Sequence, residues 1–370
     1  MMSKYKICVY AISKNEEKFV HRWMDAVSEA DAVIVLDTGS SDRTVEKLRK
    51  RGALVYEKRI SPWRFDEARN YALSCVPEDT DICVSNDLDE VFEPGWRRKL
   101  ESAWCPGHTR ARYLFVWDHK PDGSPRKCYF MEKIHRRHGF KWIHPVHEIL
   151  EYDGVKGEER ILRLEGLVLH HYPDLTKSRE NYLPLLELSV SENPGNDRAM
   201  FWLGREYVYR GEYDRGIEIL TRHLALPSAR WEEERSASMR LIAQCYEAKG
   251  NKNTARAWLF RALGECPDVR EPYLGLVRFG YREGNWPLVY AMADKGLSIV
   301  HRTDSYLVEP ESWGFALYDY AALAAYRLGL YEKAGHYALK AFQLNPADKR
   351  LKLNLELISQ RCIEHFNKGW

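Results

Sequence analysis

Apolar and polar positions along the 370-residue chain change rhythm near its middle. In the first half, short apolar runs alternate with helical patterns. KICVYAI (6–12), AVIVLD (32–37), ALVYEK (53–58) and DICVS (81–85) have strand length and strand composition. Between them, EEKFVHRWMDAVSEA (16–30) carries Phe19, Val20, Trp23, Met24 and Val27 at helical spacing. SSDRTVEKLRKRG (40–52) opens on N-cap residues and closes at Gly52, and FDEARNYALSCV (65–76) reads as a third helix. Such alternation predicts a mostly parallel sheet covered by helices on both faces. After Trp104 the pattern loosens: ARYLFVWDH (111–119) and RILRLEGLVLHHY (160–172) are expected strands, with loop-rich sequence between them.

From about Leu175 onward the chain reads as helical, and it repeats. Gly211, Gly250, Gly284 and Gly329 each end the first helix of a pair, at intervals of 39, 34 and 45 residues. The middle interval equals the tetratricopeptide period, and the others leave room for insertions. Small and aromatic residues recur around each glycine: Gly204 and Tyr207, Ala243 and Tyr246, Ala322 and Ala325 before it, and Tyr213, Trp286 or Tyr331 after it. Small residues let paired helices approach and aromatics fill the gaps between pairs. The expected organisation is therefore an α/β domain over 1–174 and an all-α repeat domain over 175–370.

Composition narrows the function classes. Hydrophobic residues are 45%, charged residues 30% and the formal net charge is +2, an ordinary soluble balance without the charge of a dedicated nucleic-acid binder. No two of the eight cysteines have CxxC spacing, which disfavours a zinc ribbon or a thioredoxin-like site and suits a reducing cytoplasm. No signal peptide is expected, and the apolar runs fall far short of the ~20 residues of a membrane span.

One stretch raises a physical question. CVSNDLDEVFEPGW (83–96) sets Asp87, Asp89 and Glu90 almost together where a buried strand ends. Like charges repel at that range and lose stability when desolvated, so something positive belongs there. Polar clusters also mark the other strand ends: AISKNEE (11–17), DTGSSDRT (37–44) and SPWRFDEARN (61–70). An open α/β sheet binds its ligand at the carboxyl ends of its strands, so the four clusters suggest one shared crevice. Neither GxGxxG nor GxxxxGK[ST] is present there, which disfavours a Rossmann dinucleotide enzyme and a P-loop NTPase.

On AISKNEE, VIVLDTGSSDRT (33–44), FDEARN (65–70) and DLDE (87–90), residues 6–170 resemble an inverting glycosyltransferase of family 2. KIHRRHGFKWIHPVHEIL (133–150) and LHHYPDLTKSREN (169–181) are similar to the branch with C-terminal tetratricopeptide repeats, which includes the glycocin peptide S-glycosyltransferases. The resemblance implies a nucleotide-sugar-binding fold, a UDP-sugar donor and Mn2+ or Mg2+. It implies that Asp89 ligates the metal and that Asp87 holds the donor ribose. Asp37 and Arg69 would contact uracil, Ala11 and Ser13 would line the same pocket, and Glu17 would also face the donor. The plainer readings are a turn-shaping role for Asp37 and an ion pair with Asp66 for Arg69.

Inversion needs a base on the acceptor side. HPVHE (144–148) offers Glu148, with His144 or His147 to orient it or to complete the metal shell, and His147 is taken with Glu148 as the catalytic pair. His170 is taken as the second metal ligand, with His171 a further candidate. Trp63, Trp117 and Trp142 fit either sugar stacking or the core. The basic run EKIHRRHGFKW (132–142) is weighed as a solvated face rather than an acceptor patch. The expected acceptor is a Ser, Thr or Cys side chain of a peptide or protein held partly by the repeats. The alternatives are a modified DNA base, a glycan, or a non-catalytic repeat scaffold. The exposed helical surface also suits a homodimer.

Overall fold

The computed structural model describes residues 4–177 and 182–368, with side chains described to 364. Ser178–Asn181, at the end of LHHYPDLTKSREN, lie outside the described residues. The chain divides into two compact units, Met1–Glu192 and Asn193–Trp370.

The first unit runs β1 (Ile7–Ser13), α1 (Val20–Ala26), β2 (Ala32–Asp37), α2 (Thr44–Lys50), β3 (Leu54–Glu57), α3 (Phe65–Ser74) and β4 (Ile82–Ser85). It continues through β5 (Glu90–Phe92), α4 (Trp96–Ala103), β6 (Arg110–His119), β7 (Pro125–Arg136), β8 (Phe140–Ile143), β9 (Ile149–Tyr152), β10 (Ile161–His171) and α5 (Tyr182–Glu192). The main sheet has the order β3-β2-β1-β4-β7-β6-β10-β5, and β8 and β9 form a separate hairpin. β3, β2, β1 and β4 are parallel, as the βα alternation predicts. β7 then pairs antiparallel with both β4 and β6, so the sheet is mixed. β10 runs parallel to β6 and antiparallel to β5.

Strand alternation splits the core in two. Ile7, Val9, Val35 and Val84 pack with Trp23 and Trp96 in one cluster. Cys8, Tyr10, Ile34, Leu36 and Cys83 pack with α3 and the hairpin's Phe140 and Trp142 in another. With both faces covered, the polar residues of the parallel strands are confined to the strand ends.

The second unit is all helical: α6 (Asp197–Tyr209), α7 (Tyr213–Ala225), α8 (Glu232–Ala248), α9 (Lys252–Glu265), α10 (Glu271–Arg282), α11 (Trp286–Leu297), α12 (Pro310–Trp313), α13 (Ala316–Arg327), α14 (Tyr331–Leu344) and α15 (Lys349–Lys368). The expected order of an α/β domain before an all-α repeat domain is what the chain adopts. α5, which lies beyond position 175, clusters with the first unit. The four aligned glycines, Gly211, Gly250, Gly284 and Gly329, all have φ between 66° and 78°, the left-handed conformation that ends a helix and starts its partner. Asn251 and Asn285 cap the helices after Gly250 and Gly284, accepting from the backbone N–H of Thr254 and Leu288, and Asn196 caps α6 by accepting from that of Ala199. Where the helices cross, Gly204 faces Leu220 so closely that a Cβ would sit 2.6 Å from its side chain. Further along, Ala322, Ala325, Ala334 and Ala338 form the contact with α15 through Ile358.

Candidate active site

The expected acids stand at the carboxyl ends of the parallel strands β2 and β4, on either side of β1. Asp37 ends β2 and is almost fully buried. Its Oδ2 accepts from Ser13 Oγ at 3.0 Å, and its Oδ1 accepts from the N–H groups of Gly39 and Ser40 at 2.9 and 2.8 Å. Asp37 therefore shapes the turn that Gly39 makes at φ 113°, and Ser13 is tied to it. Ala11, by contrast, is sealed in the hydrophobic core.

The acids after β4 are compensated by the protein's own cations. Arg69 projects from α3 and is 5% exposed. Its Nη1 and Nη2 donate to the two carboxylate oxygens of Asp87 at 2.8 and 2.9 Å, a bidentate pair. Its Nε donates to Glu148 Oε1 at 2.5 Å. The plainer partner, Asp66, is taken by Arg64 instead. Lys133 reaches in from β7, with Nζ 3.2 Å from Asp87 Oδ2 and 3.0 Å from Glu90 Oε1. The basic run is thus only partly a solvated face: His138 and Lys141 are exposed, but Lys133 is a largely covered counter-charge, and His135 is fully buried, 2.9 Å from the Tyr10 hydroxyl.

These pairings set the electrostatics. Burial opposes ionisation of Asp87, but Arg69 and Lys133 outweigh it and hold its carboxyl well below the usual range. Burial likewise opposes charge on Lys133, and Asp87 and Glu90 outweigh it, keeping the ammonium charged far beyond the usual range. Glu90 goes the other way: burial raises it, Lys133 opposes, and Asp87 and Asp89 raise it further.

Two acids and two histidines were separable only by the structure. Glu17 turns toward α2, where it accepts from the Arg43 N–H at 3.0 Å and lies 3.8 Å from Lys47 Nζ. Its neighbour Glu16 is the one that feels the acid cluster. Burial pushes its carboxyl up to about 7, Lys177 opposes, and Asp89 and Asp87 add to the rise. Glu16 Oε2 is buried without a hydrogen-bond partner among the described residues.

On β10, successive side chains point to opposite faces. His171 Nε2 lies 3.4 Å from Asp89 Oδ2, and its Nδ1 is 3.1 Å from the Trp117 carbonyl. Burial works against protonating His171, but Asp89 and Glu90 outweigh it and raise it. His170 instead faces His119, with ring nitrogens 2.9 Å apart, and lies 3.3 Å from Glu93. His171, and not the expected His170, therefore lies beside Asp89, because the strand's alternation turns His170 away.

HPVHE connects β8 to β9. His144 and His147 take φ of 80° and 50°, strained for residues with a Cβ, and the loop presents Glu148 to Arg69. His147 meets Tyr182 of α5 at 5.8 Å between ring centroids. Trp142 is buried in the core and donates to the Tyr10 hydroxyl. Trp63 packs on Phe65, and Trp117 is 38% exposed beside His171.

Counted together, Glu16, Asp87, Asp89, Glu90 and Glu148 set five carboxylates against three permanent cations, Arg69, Lys133 and Lys177. The mutual repulsion shows in Glu16 and Glu90, whose carboxyls burial and the neighbouring acids both raise. A divalent cation would relieve the same excess. No group of three or more His, Cys, Asp or Glu among the described residues is placed to hold a metal. Asp89 with His171 fits the smaller protein share of a Mg2+- or Mn2+-type site, where substrate phosphates and water supply the remaining ligands.

Comparison with known proteins places this unit. Residues 8–138 match the family model described as glycosyl transferase family 2. An uncharacterized glycosyltransferase of Rickettsia conorii is 31% identical over 145 residues, which is 37% of this chain and 49% of the relative. The chain thus spans about half the length of the curated relative it matches. Among solved structures, MamA is 18% identical at a TM-score of 0.36, over 48% of this chain and 97% of that one. Glucosyl-3-phosphoglycerate synthase from Mycobacterium tuberculosis, in complex with Mn2+, UDP and glucosyl-3-phosphoglycerate, is 24% identical at a TM-score of 0.27, over 30% and 44%. Among the described residues no helix is long and apolar enough to cross a membrane. Asp37 and the cluster of Asp87, Asp89 and Lys133 therefore lie within the segment, residues 8–138, that is similar to the glycosyl transferase family 2 model.

Proposed function

We propose that the protein is a metal-dependent inverting glycosyltransferase. It moves a hexose or N-acetylhexosamine from a nucleotide sugar, UDP being the expected carrier, to a peptide or protein side chain held partly by the repeats. The observation that carries this reading is the crowding of Glu16, Asp87, Asp89 and Glu90 at the strand ends, inside the segment that matches the family model.

In this reading Asp89 and His171 would hold Mn2+ or Mg2+, which when bound would supply Lewis-acid stabilisation of a departing diphosphate. Asp87, fixed by Arg69 and Lys133, presents its carboxylate to the ribose, and Ser13 and Asp37 shape the floor beneath the base. Because Arg69 is committed to Asp87 and Glu148, its role is to position both acids rather than to read uracil. Glu148, aimed by Arg69 and by the strained loop, takes the acceptor proton, with His147 beside it. A thiol acceptor asks least of this base, since part of it is already thiolate near neutrality.

The test is nucleoside diphosphate release from a panel of UDP-, GDP- and dTDP-sugars with Mn2+ and then with chelator. Metal-dependent release from one donor is expected, and Asp89→Asn should lower it by roughly a hundredfold or more while leaving the fold intact. Release that ignores chelator, or an Asp89→Asn protein with full turnover, would contradict the reading.

A further inference from the structure

The 45-residue interval between Gly284 and Gly329 carries an insertion that the 34-residue interval before it lacks. Residues 299–309, between α11 and α12, form no helix or strand. They run back as a strap over earlier repeats. The Tyr306 ring stacks on Trp202 of α6 at 5.6 Å and 14°, and meets Trp231 edge-on at 5.5 Å. Its hydroxyl donates to Glu234 Oε2 at 2.8 Å, and the Thr303 hydroxyl donates to Glu233 Oε2 at 3.2 Å, both on α8. The Glu309 carboxylate pairs with Arg240 of α8, and its N–H donates to Glu271 Oε1 of α10 at 3.0 Å. The Arg198 guanidinium lies 5.6 Å from the Tyr306 ring centroid. These partners sit on α6, α8 and α10 or at the cap of α8, the first helices of three successive pairs. Stacked repeats offer such faces to extended peptides.

Two observations mark the strap as an occupant rather than a filler. It is tethered through an exposed start, with Val300 87% exposed, and buries mainly through Tyr306 to Glu309. The face beneath also stays incompletely satisfied: Arg198 Nε and Arg240 Nε are buried without hydrogen-bond partners among the described residues. A segment offering acceptors at those two donors would fit the face better than the strap does.

We propose that the face formed by α6, α8 and α10 is a docking site for an extended peptide bearing a tyrosine and, three positions on, an acidic residue. The chain's own Tyr306–Glu309 holds the site as an intramolecular competitor. The aromatic clamp of Trp202 and Trp231 takes the ring, Glu234 takes its hydroxyl, and Arg240 takes the acid. Tethering gives the strap a high effective concentration, so a free peptide binds only in proportion to the fraction of open face. This docking stands apart from sugar transfer and does not require it.

The experiment uses the full chain and a fluorescent peptide copying residues 301–311, HRTDSYLVEPE. Anisotropy titrations should show binding at least about tenfold tighter to a Tyr306→Ala/Glu309→Ala chain than to the wild type. A copy of the peptide with alanine for tyrosine should lose that binding. No binding to the double variant, or equal binding of the tyrosine-free peptide, would overturn the proposal. Because the variant also removes packing from α6, hydrogen exchange on the wild-type chain provides a second reading. Saturating peptide should speed exchange at the hydrogen-bonded amides of Leu307, Val308 and Glu309. Unchanged exchange there would mean that the strap is a fixed part of the core. A concentration-dependent dimer that the double variant abolishes would mean that the face takes a second copy's strap, and would also overturn the peptide assignment.

Discussion

The two units solve opposite packing problems. At the strand ends of the first, charged groups are buried at close range and survive because each has a partner chosen from far along the chain: Arg69 and Lys133 reach Asp87 across 18 and 46 residues. In the second, paired helices approach closely where a glycine faces a branched apolar side chain of the neighbouring helix: Gly204 on Leu220, Gly216 on Val208. Repeat packing therefore depends on volume, whereas the acid cluster depends on charge balance. The first kind of order is periodic and local. The second is non-periodic and long-range, and it is the kind that chemistry requires.

Breaking the charge balance should have the largest effect. Arg69→Leu leaves Asp87 and Glu148 without their main partner and should destabilise the first unit by about 3–5 kcal/mol, read by chemical denaturation. In the repeats the same kind of test turns on space. Gly204→Ala forces a Cβ against Leu220 and should cost about 1–3 kcal/mol. Gly264→Ala, in α9 with open space around it, should instead stabilise by about 0.5–1 kcal/mol. Equal signs for the two glycine substitutions would show that close helix approach does not govern this unit.

The smallest effect sharpens the electrostatic side. Glu16 sits at about 7 against an ordinary 4.5, chiefly through burial, so the fold favours its protonated form. That stabilising contribution is full below 4.5 and fades as pH rises through about 7. Glu16→Gln imitates the protonated state. Its melting temperature should match the wild type's near pH 5 and exceed it near pH 8, in chelator. A constant difference across that range would remove Glu16 from the cluster.

The contrast also explains what the sequence disclosed. β2 begins and ends where its apolar run does, and the four left-handed glycines stand where the repeat alignment sets them, because both follow from period and from backbone rules. β7 was hidden in expected loop. Lys133 and His135 interrupt its apolar run, and they are polar because one balances Asp87 and Glu90 and the other meets Tyr10. β5, at three residues, is too short to show a pattern. Of two adjacent candidates, Glu16 or Glu17 and His170 or His171, a sequence gives the pair but not the phase of the turn or strand that carries it. The misplacement of the charge run has a similar origin: local composition cannot distinguish a lysine facing water from one facing two carboxylates. The extra length before Gly329 was legible, but not the face on which it lies.

The proposed function rests on a divalent cation, bound with a nucleoside diphosphate, that balances the carboxylates at the strand ends. Calorimetric titration of UDP into the wild-type chain and into Asp89→Asn, each with Mn2+ and with chelator, tests it most directly. UDP should bind the wild type in a strongly metal-dependent way and bind Asp89→Asn weakly and without regard to metal. UDP binding of equal strength in chelator, or unchanged by Asp89→Asn, would contradict it.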